Sequence, residues 1–158
     1  MPGQATVTVN EVQWSVSVAS TSSELIAGLS NVPSIDPQTG ILFDMGSDQS
    51  SIVINTSSML FNMDILFINS SGGVVDISRD VAPNDEVSFD SNGGLGAQYF
   101  MEVNAGELSS ISVGMPVIIE GYVPGGGNGG TGGIDISSLG YMMIVAMMVI
   151  MMFEVMEV

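Results

Sequence analysis

Cysteine, histidine and lysine are absent from this 158-residue sequence, and the only basic residue is Arg79. Without cysteine there are no disulfides, thiolate nucleophiles or cysteine metal sites. Without histidine the sequence lacks the usual zinc ligand and the usual general base near neutral pH. Neither a serine–histidine–aspartate triad nor a phosphate loop with its lysine can be assembled. We therefore expect a protein that is not an enzyme and that uses no cofactor.

The charge of the chain is strongly one-sided. Seventeen acidic residues against one basic residue give a formal charge of -16 at pH 7. This charge repels nucleic-acid phosphates and anionic headgroups, so we expect no nucleic-acid binding. Cationic partners, counterions or a high-salt setting are favoured, and the sequence does not separate salt adaptation from an acidic packing surface. The start, MPGQATVTVNEV, lacks the basic and apolar regions of a signal peptide, and none is expected.

Short alternating stretches between turn residues predict a mainly β domain over residues 1–123, a compact small barrel or sandwich. Residues 7–9 alternate apolar and polar, and residues 12–18 do so with the opposite parity. That switch predicts two short strands, or one strand with a bulge near Asn10-Glu11. Further strands are predicted at Ile41–Phe43, Ser51–Ile54, Met63–Ile68, Val74–Ile77, Ala97–Val103 and Pro116–Tyr122, with the third and fourth forming a hairpin.

One short helix is predicted within this β domain. Thr21-Ser22-Ser23-Glu24 fits a capping box, in which the threonine and glutamate side chains satisfy backbone amides at the start of a helix. Leu25, Ile26 and Leu29 follow as a short apolar stripe, and Gly28 suits a helix end. The predicted helix covers residues 22–28.

The last 35 residues have a different composition. Residues 124–133, PGGGNGGTGG, contain seven glycines in ten and predict a flexible linker. Residues 134–158 follow, and Asp135 or Ser137 is suited to cap a helix there. The uncharged run from Ile136 to Phe153 would span about 27 Å as a helix, close to the roughly 30 Å hydrocarbon core of a bilayer.

This run is apolar on all sides, which predicts a single C-terminal transmembrane helix rather than an interfacial one. The alternative is a helix buried in a protein bundle or an oligomer core. Orientation cannot be deduced, because no lysine or arginine flanks the run. The expected anchor residues are Leu139, Tyr141, Met142, Met143, Ile144, Val145, Met147, Met148, Val149, Ile150, Met151, Met152 and Phe153.

Five segments between Val16 and Tyr122 carry a resemblance to a known family. They are Val16–Glu24 with Gly28-Leu29, Gly40–Phe43, Met63–Asn69 with Gly73–Ile77, Ala97–Gly106, and Val113–Val117. In this order they resemble the small uncharacterised family called domain of unknown function 192. The resemblance implies a small, mostly β fold and brings no established activity.

The sequence departs from that family in a polar stretch before the central strand. The family usually carries an aromatic-Met-Lys-Asn-Thr stretch, whereas the ungapped counterpart here, residues 55–59, is Asn-Thr-Ser-Ser-Met. An Asn-Thr pair occurs at Asn55-Thr56, three residues upstream, and Gly114-Met115 stands where the family has Gly-Asp. If the family stretch is a ligand site, the resemblance implies that this chain has lost it.

Acidic residues supply the remaining candidate sites. Asp64 lies within an apolar strand, so it is either a buried acid with a raised pKa or a carboxylate that faces outward or caps loop amides. Asp44 with Asp48, and Asp85 with Asp90, place oxygen ligands near turns and are candidate calcium ligands, although neither pair has the EF-hand spacing. Solvated acidic turns are the default interpretation of these spacings, and no metal site is expected.

Seven methionines lie between Met142 and Met156. Thioether clusters bind copper(I), but these methionines occupy all sides of the predicted helix and suit a lipid or helix contact.

Together these features predict a non-catalytic, membrane-anchored structural or interaction protein. A minor structural component of a membrane-containing particle, such as a virion or an envelope assembly, fits this architecture. Its expected partners are the lipid membrane and other proteins of an assembly, as an oligomer or part of a larger complex. The alternative is a tail-anchored domain that binds a small ligand or a cation at its acidic loops.

Overall fold

The computed structural model describes residues 3–124, which form a mainly β fold built around a curled half-barrel sheet. Over these residues the elements in chain order are β1 (Gly3–Val9), β2 (Val12–Ala19), α1 (Ser22–Ala27), β3 (Thr39–Gln49), β4 (Ser51–Asn55), β5 (Met63–Ile68), β6 (Val74–Val81), β7 (Glu86–Asp90), β8 (Ala97–Asn104) and β9 (Val117–Glu120).

Seven strands form one sheet in the order β6-β5-β8-β3-β2-β1-β9, and β4 pairs with β7 in a separate two-stranded sheet. Neighbours in the large sheet are antiparallel except β2 and β3, whose parallel pairing requires a crossover that contains α1. The sheet curls so far that its two edge strands, β6 and β9, come together. Gly73, just before β6, forms a β-bridge with Pro116, just before β9. The Val117 amide also donates to the Gly72 carbonyl at 2.8 Å.

The large sheet is covered on both faces. One face packs against α1 and the β4–β7 pair around Phe43, Phe67 and Phe100. The other face closes on itself around Trp14, Leu66 and other apolar residues from β1, β2, β5 and β8. Every residue of β5 is therefore buried, as expected for a strand that is covered on both sides.

The predicted elements agree with these bounds in most places. The parity switch at Asn10-Glu11 is a hairpin: both residues have positive φ (48° and 67°), and Val9 pairs with Val12. The alternative of two strands is thus confirmed, and the bulge is wrong. α1 carries the predicted capping box at Thr21 and Glu24. The sequence prediction missed β7, and it made β3 and β6 too short.

The predicted linker (124–133) and the predicted membrane helix with its anchor residues lie outside the described residues, apart from Pro124. Among residues 3–124, no helix combines the length and apolarity that a membrane crossing requires.

Candidate functional site

A cleft of about 440 Å³ opens on the face of the sheet that α1 covers. One wall is α1 with the turn that follows it, the other is the end of β4 with residues 57–59, and the floor is formed by β3 and β8. Its lining residues are Leu25, Ile26, Ala27, Gly28, Leu29, Ser30, Phe43, Ile54, Asn55, Ser57, Ser58, Met59, Phe100 and Glu102. Most of these side chains are apolar, and Glu102 is the only acidic or basic one among them.

The floor of the cleft combines two aromatic rings with one carboxyl group. Phe43 of β3 and Phe100 of β8 stack with their ring centroids 4.3 Å apart and an interplanar angle of 11°. Glu102 follows Phe100 by two residues and therefore lies on the same face of β8. Gly40 on β3 permits this close packing, since a Cβ atom there would collide with the Glu102 carbonyl oxygen.

Glu102 is the most unusual side chain of the site. It is 5% exposed, and its Oε2 atom has no hydrogen-bond partner among the described residues. Burial raises the pKa of the Glu102 carboxyl to about 8, because an apolar environment penalises the charged form. The acid therefore holds its proton at neutral pH.

The first wall is fixed by the capping box of α1. The Glu24 amide donates to the Thr21 hydroxyl at 3.3 Å, and the Thr21 amide donates to Glu24 Oε2 at 3.2 Å. The helix ends at Ala27 and is capped by Gly28, whose φ of 43° suits glycine. A Cβ atom added at Gly28 would lie 3.0 Å from the ring of Phe43, so a larger residue would crowd the ring there.

The second wall is fixed by Thr56. Its buried hydroxyl accepts a bond from the Asp85 amide (2.8 Å) and donates to the Ala82 carbonyl (2.8 Å), which ties the end of β4 to the turn before β7. The Asn31 amide donates to the Ser58 carbonyl at 2.8 Å and so joins the two walls at one end. Thr56 therefore holds the end of β4 in place as the second wall.

The rim of the cleft is also apolar. Ile26 lines the cleft while remaining 59% exposed, and Leu60, next to the lining residue Met59, is 56% exposed. Large apolar side chains at the mouth of a concave apolar site are typical of binding surfaces.

The candidate calcium ligands Asp44 and Asp48 are both on β3, where they bond to protein donors. Asp44 is buried, and it accepts bonds from the Gly46 amide (2.8 Å), Gln98 Nε2 (3.1 Å) and the Tyr122 hydroxyl (2.7 Å). Burial, and then the charge of Asp44, raise the pKa of the Tyr99 hydroxyl beside this group. The Asp48 carboxylate accepts from the amide and the hydroxyl of Ser70, at 2.8 and 2.6 Å.

The other candidate pair lies elsewhere. Asp85 directly precedes β7 and Asp90 ends it, so the two residues lie at opposite ends of a five-residue strand, about 16 Å apart. They cannot share one ion. Among residues 3–124, no three acidic side chains gather into a group that could hold a metal.

Asp64 has the structural role that one reading of the sequence predicted. It is buried, and it accepts bonds from the amides of Asp80 (2.9 Å), Gly106 (3.0 Å) and Leu108 (3.0 Å). The prediction that it caps loop amides is confirmed.

Two further carboxyl groups were not singled out in the sequence. Glu107 accepts from Trp14 Nε1 at 2.8 Å and from the Gln38 amide at 3.0 Å, which joins β2 to the turn after β8. Glu102, like Asp64, is an acidic residue within an apolar strand. The sequence pattern that pointed to Asp64 could therefore have pointed to Glu102 as well. The C-terminal methionines, for which a lipid or helix contact was favoured over copper(I), lie outside the described residues.

Comparisons with known proteins agree with this fold and assign no activity. The family model of domain of unknown function 192, described as an uncharacterised ACR, matches residues 5–119. A structure from Sinorhizobium meliloti, described as a suggested transcription regulator, is 24% identical with a TM-score of 0.65 over 77% of this chain and 96% of that one. A protein of unknown function from Novosphingobium aromaticivorans is 22% identical with a TM-score of 0.62, over 73% and 83%. No curated protein matches the chain.

Proposed function

The chain belongs to the domain of unknown function 192 family, and we propose that it is a non-catalytic binding module whose cleft beside α1 takes a small ligand with an apolar body. The observation that carries this proposal is an apolar cleft of about 440 Å³ with a buried carboxyl group on its floor, whose Oε2 atom has no hydrogen-bond partner in the described part of the chain. Most small-molecule sites are concave, mainly apolar and oriented by few polar groups.

The Glu102 carboxyl is stronger evidence for a bound ligand than the volume of the cleft is. A buried polar atom without a hydrogen bond costs about 1–3 kcal/mol, and most such atoms in folded proteins have partners. A ligand that bonds to Glu102 would remove this cost on binding. The apolar lining would add the free energy of burying the ligand's hydrocarbon surface, about 25 cal/mol for each Å².

The composition of the cleft supports binding rather than catalysis. General acid–base chemistry on a substrate commonly uses two groups with matched pKa values, or a nucleophile beside a base. Glu102 is the only acidic or basic side chain that lines the cleft, and the chain contains no histidine, cysteine or lysine. This proposal develops the ligand-binding alternative of the sequence analysis, moved from the acidic loops to the cleft.

Blocking the cleft tests the proposal. In the full chain labelled at its methionine methyl groups, 3,3-dimethylbutan-1-ol should shift the Met59 resonance, because Met59 lines the cleft. Ser58→Trp fills the cleft mouth and should abolish the shift. The matched control, Ser88→Trp on the exposed side of β7, should retain it. Shifts that persist in Ser58→Trp, or none in the wild type, would contradict the proposal.

We also propose that the C-terminal segment holds this module at a membrane. The support is the uncharged run from Ile136 to Phe153 behind a glycine-rich linker. Flotation with lipid vesicles tests it, comparing the full chain with a Met147→Lys, Ile150→Lys double variant that places two charges within the run. The full chain should float and the variant should not. A role in a particle or envelope assembly stays a prediction.

A further inference from the structure

We propose that the ligand of the cleft is a small organic cation, an ammonium group with alkyl or aryl substituents whose positive charge pairs with the Glu102 carboxylate. This inference rests on the proposed function, since it names the class of ligand that the same cleft takes. Three features of the described residues lead to it: the lack of a protein partner for Glu102, the aromatic floor and the placement of the other charges.

Among residues 3–124, no basic side chain pairs with this carboxyl. The only basic side chain of the chain, Arg79, donates to the carbonyls of Ile111 (2.6 Å) and Leu108 (3.3 Å). Those two residues belong to the core on the other face of the sheet. An unpaired acid in an apolar site is satisfied best by a cation, and here the cation must come from a ligand.

The floor of the cleft suits the apolar surface of such a cation. Phe43 and Phe100 line the cleft together with Glu102, so the alkyl or aryl substituents of a bound cation would lie against aromatic carbon atoms. The net charge of the chain, -16, would also draw cations towards the protein and oppose anions. An anionic ligand would have to meet a buried acid that has no cation nearby.

The acidic groups of the neighbouring elements are engaged or exposed, so Glu102 controls the pH dependence of the cleft. On α1, Glu24 accepts backbone amides within the capping box, and on β5, Asp64 accepts three loop amides. On β3, Asp44 is bonded to Tyr122 and Gln98. On β7, opposite Asn55 of the cleft wall, Glu86 is exposed.

This arrangement predicts how the affinity of the cleft for a cation changes with pH. Burial raises the pKa of Glu102 to about 8, so the acid must release its proton before it pairs with a cation. The affinity for a permanently charged cation should therefore rise about tenfold for each pH unit up to about pH 8 and then level off. A neutral ligand that accepts a hydrogen bond from the protonated acid would show the opposite behaviour, with its affinity falling above pH 8.

A matched pair of probes tests the inference on the full chain in 0.15 M salt. Choline carries a trimethylammonium group, and 3,3-dimethylbutan-1-ol is its uncharged isostere of almost the same shape. Titrations at pH 6, 7 and 8, followed at the Met59 methyl group, should show choline binding at least tenfold more tightly than the alcohol at pH 8. The choline affinity should fall about fivefold from pH 8 to pH 7 and about tenfold from pH 7 to pH 6.

Two variants identify the group responsible. Glu102→Gln keeps the shape of the side chain and removes its charge, and Glu102→Met serves if the glutamine variant fails to fold. Either should bind the two probes equally and without pH dependence between 6 and 8. If the wild type binds the alcohol as tightly as choline, the cation inference is wrong while the binding function stands. If neither probe binds, both proposals are wrong.

Discussion

The buried carboxyl of Glu102 should make the stability of the domain depend on pH in a direction opposite to that of most acids. The folded state holds the Glu102 proton up to about pH 8, whereas an unfolded chain releases it near the ordinary value of 4.5. Between these values the folded state binds more protons, so a rise in pH favours unfolding. The contribution of Glu102 to the free energy of unfolding is largest below about pH 4.5 and is lost by about pH 8.

The size of this effect follows from the two pKa values. At about 1.4 kcal/mol for each pH unit, the loss over the whole titration is roughly 5 kcal/mol, of which about 3 kcal/mol is lost between pH 4.5 and pH 7 and about 4 kcal/mol between pH 4.5 and pH 8. Glu102→Gln removes this titration and leaves the other acids in place. The difference in unfolding free energy, variant minus wild type, should therefore increase by roughly 3 kcal/mol between pH 4.5 and pH 7.

Urea denaturation of the full chain at several pH values measures this difference. The fluorescence of Trp14 reports unfolding, because its side chain is buried in the folded core. The matched control is Glu86→Gln, which makes the same substitution at an exposed glutamate on β7. A Glu102→Gln difference that stays constant within about 0.5 kcal/mol from pH 4.5 to pH 8 would refute the assignment of a buried, protonated acid.

Three further substitutions test the contacts around the site by urea denaturation. Asp64→Ala leaves three amides without their acceptor and should cost at least 3 kcal/mol, whereas a cost below 1 kcal/mol would contradict its structural role. Gly40→Ala places a methyl group against the Glu102 carbonyl and should destabilise the fold by more than 1 kcal/mol; unchanged stability would show that β3 and β8 can separate there. Tyr122→Phe removes the bond to Asp44 and should cost about 1.5–3 kcal/mol, and no loss would mean that this bond contributes nothing.

The sequence predicts local structure well wherever local chemistry determines it. The capping box at Thr21 and the hairpin at Asn10-Glu11 each depend on neighbouring residues, and both are present. β7 was missed although Val87 and Phe89 alternate with polar residues, because its flanking acids suggested a calcium loop instead. The alternation of apolar and polar residues covers only the five residues of β7, and it was given less weight than the acidic residues at the two ends of the strand.

The cleft could not be predicted from the sequence, because residues far apart in the chain create it. Its walls come from α1 and from the end of β4, and they meet only through tertiary contacts such as the bond from Asn31 to Ser58. The floor depends on the pairing of β3 with β8, which sets Phe43 opposite Phe100. Sequence spacing alone cannot reveal that these strands are neighbours in the sheet.

The buried acids of the domain support the cleft as the binding site when they are compared with one another. Asp44 and Asp64 are as buried as Glu102, and each accepts three hydrogen bonds from the protein. The fold therefore has the means to satisfy buried carboxylates, and Glu102 Oε2 is left without a donor among the described residues. That exception coincides with the floor of the cleft. Buried polar atoms without a hydrogen-bond partner are expected mainly at functional sites, where a ligand can supply the missing hydrogen bond.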